Sequence, residues 1–247
     1  MSTLPGHHDK ADDGHEIGLV ASSGTRVLSA IAVLLVVASV TGQIVAHSTG
    51  HNTVYGLIPA FDLDGEANIP TFYSGALLLV ASALLALVAV LARKTRAPFA
   101  NSWAVLALGF LFLSCDELGC IHEMMVQPMR ELLGGQPHGV LYSGWVVPAT
   151  LGVLIVVVSF WRFWRHLPDR TRRLVLVAGL LFVGGSVGME VIGGLYRDRH
   201  GLDFVNAMIS TVEESAEMAG VIIFIHAMMG YIGEQYGLVV LRFGGRA

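Results

Sequence analysis

The stretch Phe72-Tyr-Ser-Gly-Ala-Leu-Leu-Leu-Val-Ala-Ser-Ala-Leu-Leu-Ala-Leu-Val-Ala-Val-Leu-Ala92 contains no charged side chain. It matches the ~20 apolar residues that an α-helix needs to cross a ~30 Å hydrocarbon core. Working outward, five more runs of this kind cover roughly 27–47, 99–125, 141–162, 174–196 and 205–229. The whole chain is 54% hydrophobic and only 14% charged, with a mean hydropathy of +0.65, outside the range of soluble domains. The expected fold is all-α, a polytopic membrane helical bundle of six transmembrane helices spanning residues 25–232. A disordered cytoplasmic tail is expected at 1–24 and a second cytoplasmic tail at 233–247. The histidines His7, His8 and His15 fall in the first tail and read as solvated chain. The polar start followed by a span-length run does not resemble a cleavable signal peptide.

Net charge is -4, and the placement of the basic residues says more than their sum. Lys10, Arg26, Arg93, Lys94, Arg96, Arg162, Arg165, Arg170, Arg172, Arg173, Arg242 and Arg246 fall on one side of the six-span arrangement, and only Arg130, Arg197 and Arg199 on the other. The positive-inside rule then puts both termini in the cytoplasm. The expected location is the bacterial inner (cytoplasmic) membrane. Cys115 and Cys120, five apart on one predicted helix, point away from each other and are not expected to pair. Gly184-x3-Gly188 and Gly193-Gly194 in the fifth run suggest close helix approach.

Acidic residues interrupt these apolar runs. The third run holds Asp116, Glu117, His122 and Glu123, the fifth Glu190, and the sixth Glu213, Glu214 and Glu217. An ionisable group at bilayer depth is costly unless paired, neutralised or bound to something. By the topology above, all of these groups fall in the outer half of the membrane, while His226 falls deeper. Asp116 and Glu123 are seven apart and share a helix face; so do Glu213 and Glu217, four apart. The expectation is that Asp116, Glu123, Glu190, Glu213 and Glu217 converge inside the bundle. Hydrogen-bonded structural pairs with Ser114, Ser143, Ser210, Thr211 or Ser215 are the alternative. Few basic residues are available at that depth, and clustered carboxylates cannot all ionise without protons or cations.

A metal reading follows. Asp116, His122, Glu123, Glu190, Glu213 and Glu217 are the candidate ligands, with Glu117 and Glu214 as candidate catalytic proton carriers. The mixture of carboxylates with histidine favours iron, zinc or manganese over calcium or magnesium. Di-metal carboxylate bundles use Glu-x-x-His, whereas this chain has Glu117-x4-His122-Glu123. Met124, Met125 and Met129 near Cys120 and His122 read as packing rather than a copper site. In the loop after the first run, Asp62, Asp64, Glu66 and Asn68 alternate like an EF-hand start, but Tyr73 stands where the twelfth-position Glu is needed. That loop reads either as a solvated acidic loop or as a lid folded over the intramembrane site. Asp116-Glu117 and Glu213-Glu214 fall at matching positions of two three-span halves, a faint sign of inverted symmetry.

Taken together, Phe61-Asp-Leu-Asp-Gly-Glu-Ala-Asn-Ile-Pro-Thr71, Asp116-Glu117 with His122-Glu123, and Glu213-Glu214 with Glu217-Met218 resemble a group of uncharacterised bacterial six-span membrane proteins. The group has no established activity, so the resemblance implies the membrane fold and no catalytic role. Three functions compete. One is a metal-dependent membrane enzyme acting on a lipid or other apolar substrate. Another is a proton- or cation-coupled transporter, and the third a non-catalytic subunit of a membrane complex. The expected partners are the lipid bilayer and a lipid or apolar small molecule, with no nucleic acid.

Overall fold

The computed structural model describes residues 21–132, 139 and 142–237. The parts of the expected tails at 1–20 and 238–247 lie outside the described residues. In chain order the helices are α1 (Ala21–Thr49), α2 (Leu57–Phe61), α3 (Ile69–Lys94), α4 (Ala100–Gly119), α5 (Ile121–Leu132), α6 (Val146–His166), α7 (Asp169–Val183), α8 (Glu190–His200) and α9 (Phe204–Tyr236). A π-helical turn, Gly184–Met189, joins α7 to α8 into one long span, Asp169–His200. Six helices are long and apolar enough to cross a membrane, and no strand occurs among the described residues. The six-span all-α bundle read from the sequence is therefore the fold.

Helices α3 and α9 form its centre. Half of the most apolar window of each is buried, against 17% or less in the other spans. Leu77, Ala81, Leu85, Val88 and Ala92 of α3 recur at helical spacing and pack in one core with Met218, Val221, Ile225 and Met228 of α9. Helices α1 and α7 flank α9, and α4 pairs with α3 across a short connection. Ser114 and Ser82 fasten α3 to α4 by donating to the carbonyls of Gly75 (2.8 Å) and Ala107 (2.7 Å). Such bonds satisfy hydroxyls that hydrocarbon could not. Aromatic contacts of Trp103 with Phe163 and Tyr231, and of Phe110 with Phe224, bring α4 against α6 and α9. Helix α6 lies outermost, with Leu151, Leu154, Ile155, Val157 and Val158 all exposed.

Two sequence expectations are corrected. The third run is not one helix over 99–125. It ends at Gly119, and Cys120 adopts the left-handed conformation (φ 50°, ψ 41°), its N–H capping the helix by donating to the Asp116 carbonyl. A non-glycine residue held there costs about 1–2 kcal/mol, so the surrounding contacts must hold the break. Asp116 and Glu123 therefore do not share a helix face. The second correction concerns close approach in the fifth span, where Gly193 and Gly194 do meet neighbours as expected, an added Cβ lying 3.4 Å from Ile209 Cγ2 and 3.0 Å from Tyr142 Cβ, but Gly184-x3-Gly188 does not. A Cβ on Gly184 or Gly188 would meet nothing within 4 Å, whereas one on Gly185 would lie 2.8 Å from the Glu213 carbonyl oxygen and 2.9 Å from Glu217 Cγ. Gly185 is thus the residue that lets α9 bring its acids against the π turn.

Candidate functional site

Helix lengths place the acids along the bundle. At 1.5 Å per residue, Glu190 lies about 15 Å below the end of α8 and Glu213 about 14 Å below the start of α9. The two carboxylates are therefore level, and they come within hydrogen-bonding reach of each other. Ser143 donates to Glu190 Oε1, and Arg197 stands nearby. The π turn just before Glu190 inserts a residue into the helical phase. That turns Glu190 by about 100° relative to a regular continuation. Buried Glu213 and, one turn further along α9, Glu217 complete this inner group.

A second group forms where α4 breaks. In an unbroken helix, residues six apart are separated by about 9 Å of rise and lie on different faces. The left-handed turn at Cys120 instead folds His122 back, so that its Nδ1 lies 3.2 Å from Asp116 Oδ2. The other ring nitrogen, Nε2, faces Glu66 Oε1 at 3.8 Å. Cys120 Sγ donates to Glu66 Oε2 at 3.3 Å. Trp145 lies against the imidazole, with ring centroids 5.5 Å apart. One ligand atom each from Glu66, His122 and Glu123 can be chosen so that all lie within 4.8 Å of one another, and no other such trio occurs among the described residues.

Glu66 reaches this position because its loop is pinned. Gln43 donates to Asp62 Oδ1 at 2.8 Å, and Ser39 accepts from the N–H of Leu63 at 3.1 Å. Asn68 donates to the Asp62 carbonyl at 2.6 Å while capping α3 through the Thr71 N–H. The alternating acids take separate tasks. Asp62 anchors the loop, Asp64 reaches Ser210 and Arg197, and Glu66 meets Cys120 and His122. The loop is therefore pinned to α1 and to the start of α3, with the exposed Glu66 held at the helix break.

The two groups are linked. Glu214 lies in electrostatic reach of Glu117, Glu66, Asp64 and His122, and Glu217 in reach of Glu214, Glu117, Glu213 and Glu190. All eight residues singled out in the sequence thus belong to one polar network, but the compact trio contains only His122 and Glu123 of them. Asp116 stands behind His122, while Glu190, Glu213 and Glu217 belong to the inner group. Glu66 was not among the candidate ligands. The alternation Asp62, Asp64, Glu66 was the only signal of its role. Arg197 is a basic partner that the sequence had placed beyond the cluster: Asn206 fixes it by accepting from Nε at 3.1 Å, and it serves both Asp64 and Glu190.

Electrostatics at the break are strongly biased. The Asp116 hydrogen bond, reinforced by the charges of Glu66 and Glu123 and opposed by burial, raises the His122 imidazole to about 9. Without a metal, His122 is therefore an imidazolium bridging two carboxylates at neutral pH. Burial, followed by the hydrogen bond to Glu66, pushes the Cys120 thiol up to about 11, so it acts as a donor to Glu66. A groove of about 590 Å³ lined by Pro59, Ala60, Glu66, Asn68, Ile69 and Phe72 opens beside this group.

Neither a curated protein nor a solved structure matches this chain. A family model described as a domain of unknown function (DUF8692) matches residues 27–231, the entire six-span bundle from within α1 to within α9, and the chain belongs to that family.

Proposed function

We propose that this protein is a metal-dependent membrane enzyme whose divalent ion, iron, zinc or manganese, is held by Glu66, His122 and Glu123. The observation that carries this reading is the trio of ligand atoms within 4.8 Å of one another. Asp116 supports it: a carboxylate on one ring nitrogen fixes the tautomer and presents the other nitrogen to a metal. Here Asp116 takes Nδ1 and leaves Nε2 toward Glu66. In this reading Asp116 is a positioning residue rather than a ligand. Three protein ligands leave room for water or substrate, as catalytic sites require. A metal so held supplies Lewis acidity and a water of lowered pKa. Glu117 and Glu214, adjoining the trio, serve as proton carriers. Glu190, Glu213 and Glu217 extend the acid network inward rather than ligating.

The substrate class is a lipid or another apolar molecule. The groove that includes Glu66 is bordered by exposed Ile69 and Phe72, so an apolar body would lie along α3 with its polar end at the metal. The acidic end of the bundle is the external side of the bacterial cytoplasmic membrane, with both termini cytoplasmic, on the distribution of basic residues.

A proton- or cation-coupled transporter is the second reading, favoured by the inward run from Glu117 through Glu214 to Glu217. It is the weaker of the two. Below Glu217, α9 presents Met218, Val221, Ile222, Ile225 and Met228 to the core, and a through-path would need polar groups there.

Metal content of the gently purified full chain, measured by elemental analysis, tests the proposal. Stoichiometric metal is expected in wild type, with strong loss in Glu66→Ala, His122→Ala and Glu123→Ala. Substoichiometric metal in wild type, or unchanged occupancy in all three variants, overturns it. Cation-dependent proton flux in liposomes would shift the assignment to transport.

A further inference from the structure

Helix α5 has an apolar face of which Met124, Met125, Pro128 and Leu132 are exposed and Ile121 and Met129 half-buried. Ile121, Met124, Met125, Pro128, Met129 and Leu132 recur at i, i+3, i+4, i+7, i+8 and i+11. At 100° per residue they fill an arc of about 140°, while His122, Glu123, Gln127 and Glu131, with Val126 among them, occupy the other side. Met124 is 72% exposed, Met125 40% and Leu132 75%. On the polar side Gln127 donates to Glu131 at 3.2 Å.

We infer that α5 is a membrane-surface helix, lying along the bilayer with this apolar face sunk into the boundary between lipid headgroups and acyl chains. Three observations identify lipid as the occupant. Helix α4 has 20 residues and is about 30 Å long, the thickness of the hydrocarbon core, so the break at Cys120 falls at the bilayer boundary. The exposed apolar belt of α4 runs through Leu108 and Phe112 to Leu118, the last large residue before the break, and the exposed Met124, Met125 and Leu132 of α5 follow it in the chain. Trp145, an aromatic of the kind that marks the headgroup level, lies against His122 at the start of α5. An amphipathic helix of low net hydrophobicity at that level partitions into the interface through the apolar area it buries there. Its first turn carries His122 and Glu123, so the polar group at the break sits level with lipid headgroups. The inference stands on helix periodicity and exposure and does not require the metal.

Site-directed spin labelling of the full chain in phosphatidylcholine liposomes tests it, in a Cys115→Ala, Cys120→Ser background that keeps a donor toward Glu66. Labels are placed singly at Met124→Cys, Leu132→Cys, Gln127→Cys and Glu131→Cys, with Leu108→Cys, 65% exposed near the middle of α4, as the embedded reference. Collision rates with oxygen and with a neutral nickel chelate report depth. The expected result is oxygen-dominated, closely similar shallow depth at 124 and 132, with nickel-dominated exposure at 127 and 131. Nickel exposure at 124 and 132 equal to that at 131 would place the helix in water and overturn the inference. Steadily increasing depth from 124 to 132 would make α5 an inserted segment. Exclusion of both reagents with spin–spin broadening at full labelling would show a second copy on the face. Either of the last two results also overturns the inference. A protein that holds no metal but gives the expected depth profile fails the functional proposal alone.

Discussion

Replacing Asp116 with asparagine should alter the pH dependence of metal affinity more than the affinity at neutrality. Asp116 Oδ2 lies 3.2 Å from His122 Nδ1, and that hydrogen bond is the main cause of the imidazole's rise from 6.5 to about 9. A metal must displace the His122 proton before it can bind. Between pH 6.5 and 8.5 the neutral fraction of an imidazole titrating at about 9 rises about seventyfold, against about twofold for one near 6.5. Wild-type affinity should tighten by the first factor and Asp116→Asn affinity by the second. Losing the carboxylate that fixes the ring costs about 10–100-fold in intrinsic affinity. The two effects oppose each other at pH 6.5, where the variant binds as tightly as wild type or more tightly. By pH 8.5 the variant should be the weaker binder, its affinity relative to wild type having fallen about fortyfold. Competition against a fluorescent zinc chelator in detergent, at four pH values across this window, measures the ratio. A ratio that stays constant with pH would refute the assignment of His122 as a ligand backed by Asp116. The same shift has a sign in the metal-free protein. A pKa raised above its unfolded value stabilises the fold fully below pH about 6.5, and that stabilisation is lost as pH rises through about 9.

Gly185→Ala should destabilise the bundle by about 1–3 kcal/mol, because the added methyl meets the backbone of α9 at 2.8 Å; thermal unfolding in detergent measures this, and an unchanged midpoint would count against the close approach. Glu190→Gln and Glu213→Gln should each keep their metal, since neither residue belongs to the trio; elemental analysis decides, and metal loss in either would draw the inner group into the site. A reporter fused after Ala247 should read as cytoplasmic, and a periplasmic reading would reverse the proposed orientation.

Much of this was legible in the chain. Apolar runs of span length gave the six helices and their order, because hydrocarbon accepts only helices whose backbone bonds are internal. Misplaced carboxylates gave the location of the polar network, because such groups at bilayer depth require a reason. The third run extends past its true end for a physical reason: Gly119-Cys120-Ile121 carries no polar break signal, and hydropathy does not register a single left-handed residue. The same blindness hid the π turn before Glu190 and chose Gly184 and Gly188 over Gly185 as the contact.

What the sequence determined by itself is the membrane fold and the set of polar residues from which a site would be built. Both follow from transfer energies that each residue carries with it wherever it sits. What only the tertiary structure decided is which of those residues meet. Glu66 is 56 positions from His122, and it arrives there because Ser39, Gln43 and Asn68 pin its loop across the end of the bundle. Asp116 and His122 touch because one residue between them leaves the helix. Contacts of this kind depend on distances set by the packing of several helices and by one backbone torsion, and neither is encoded in hydropathy or local spacing.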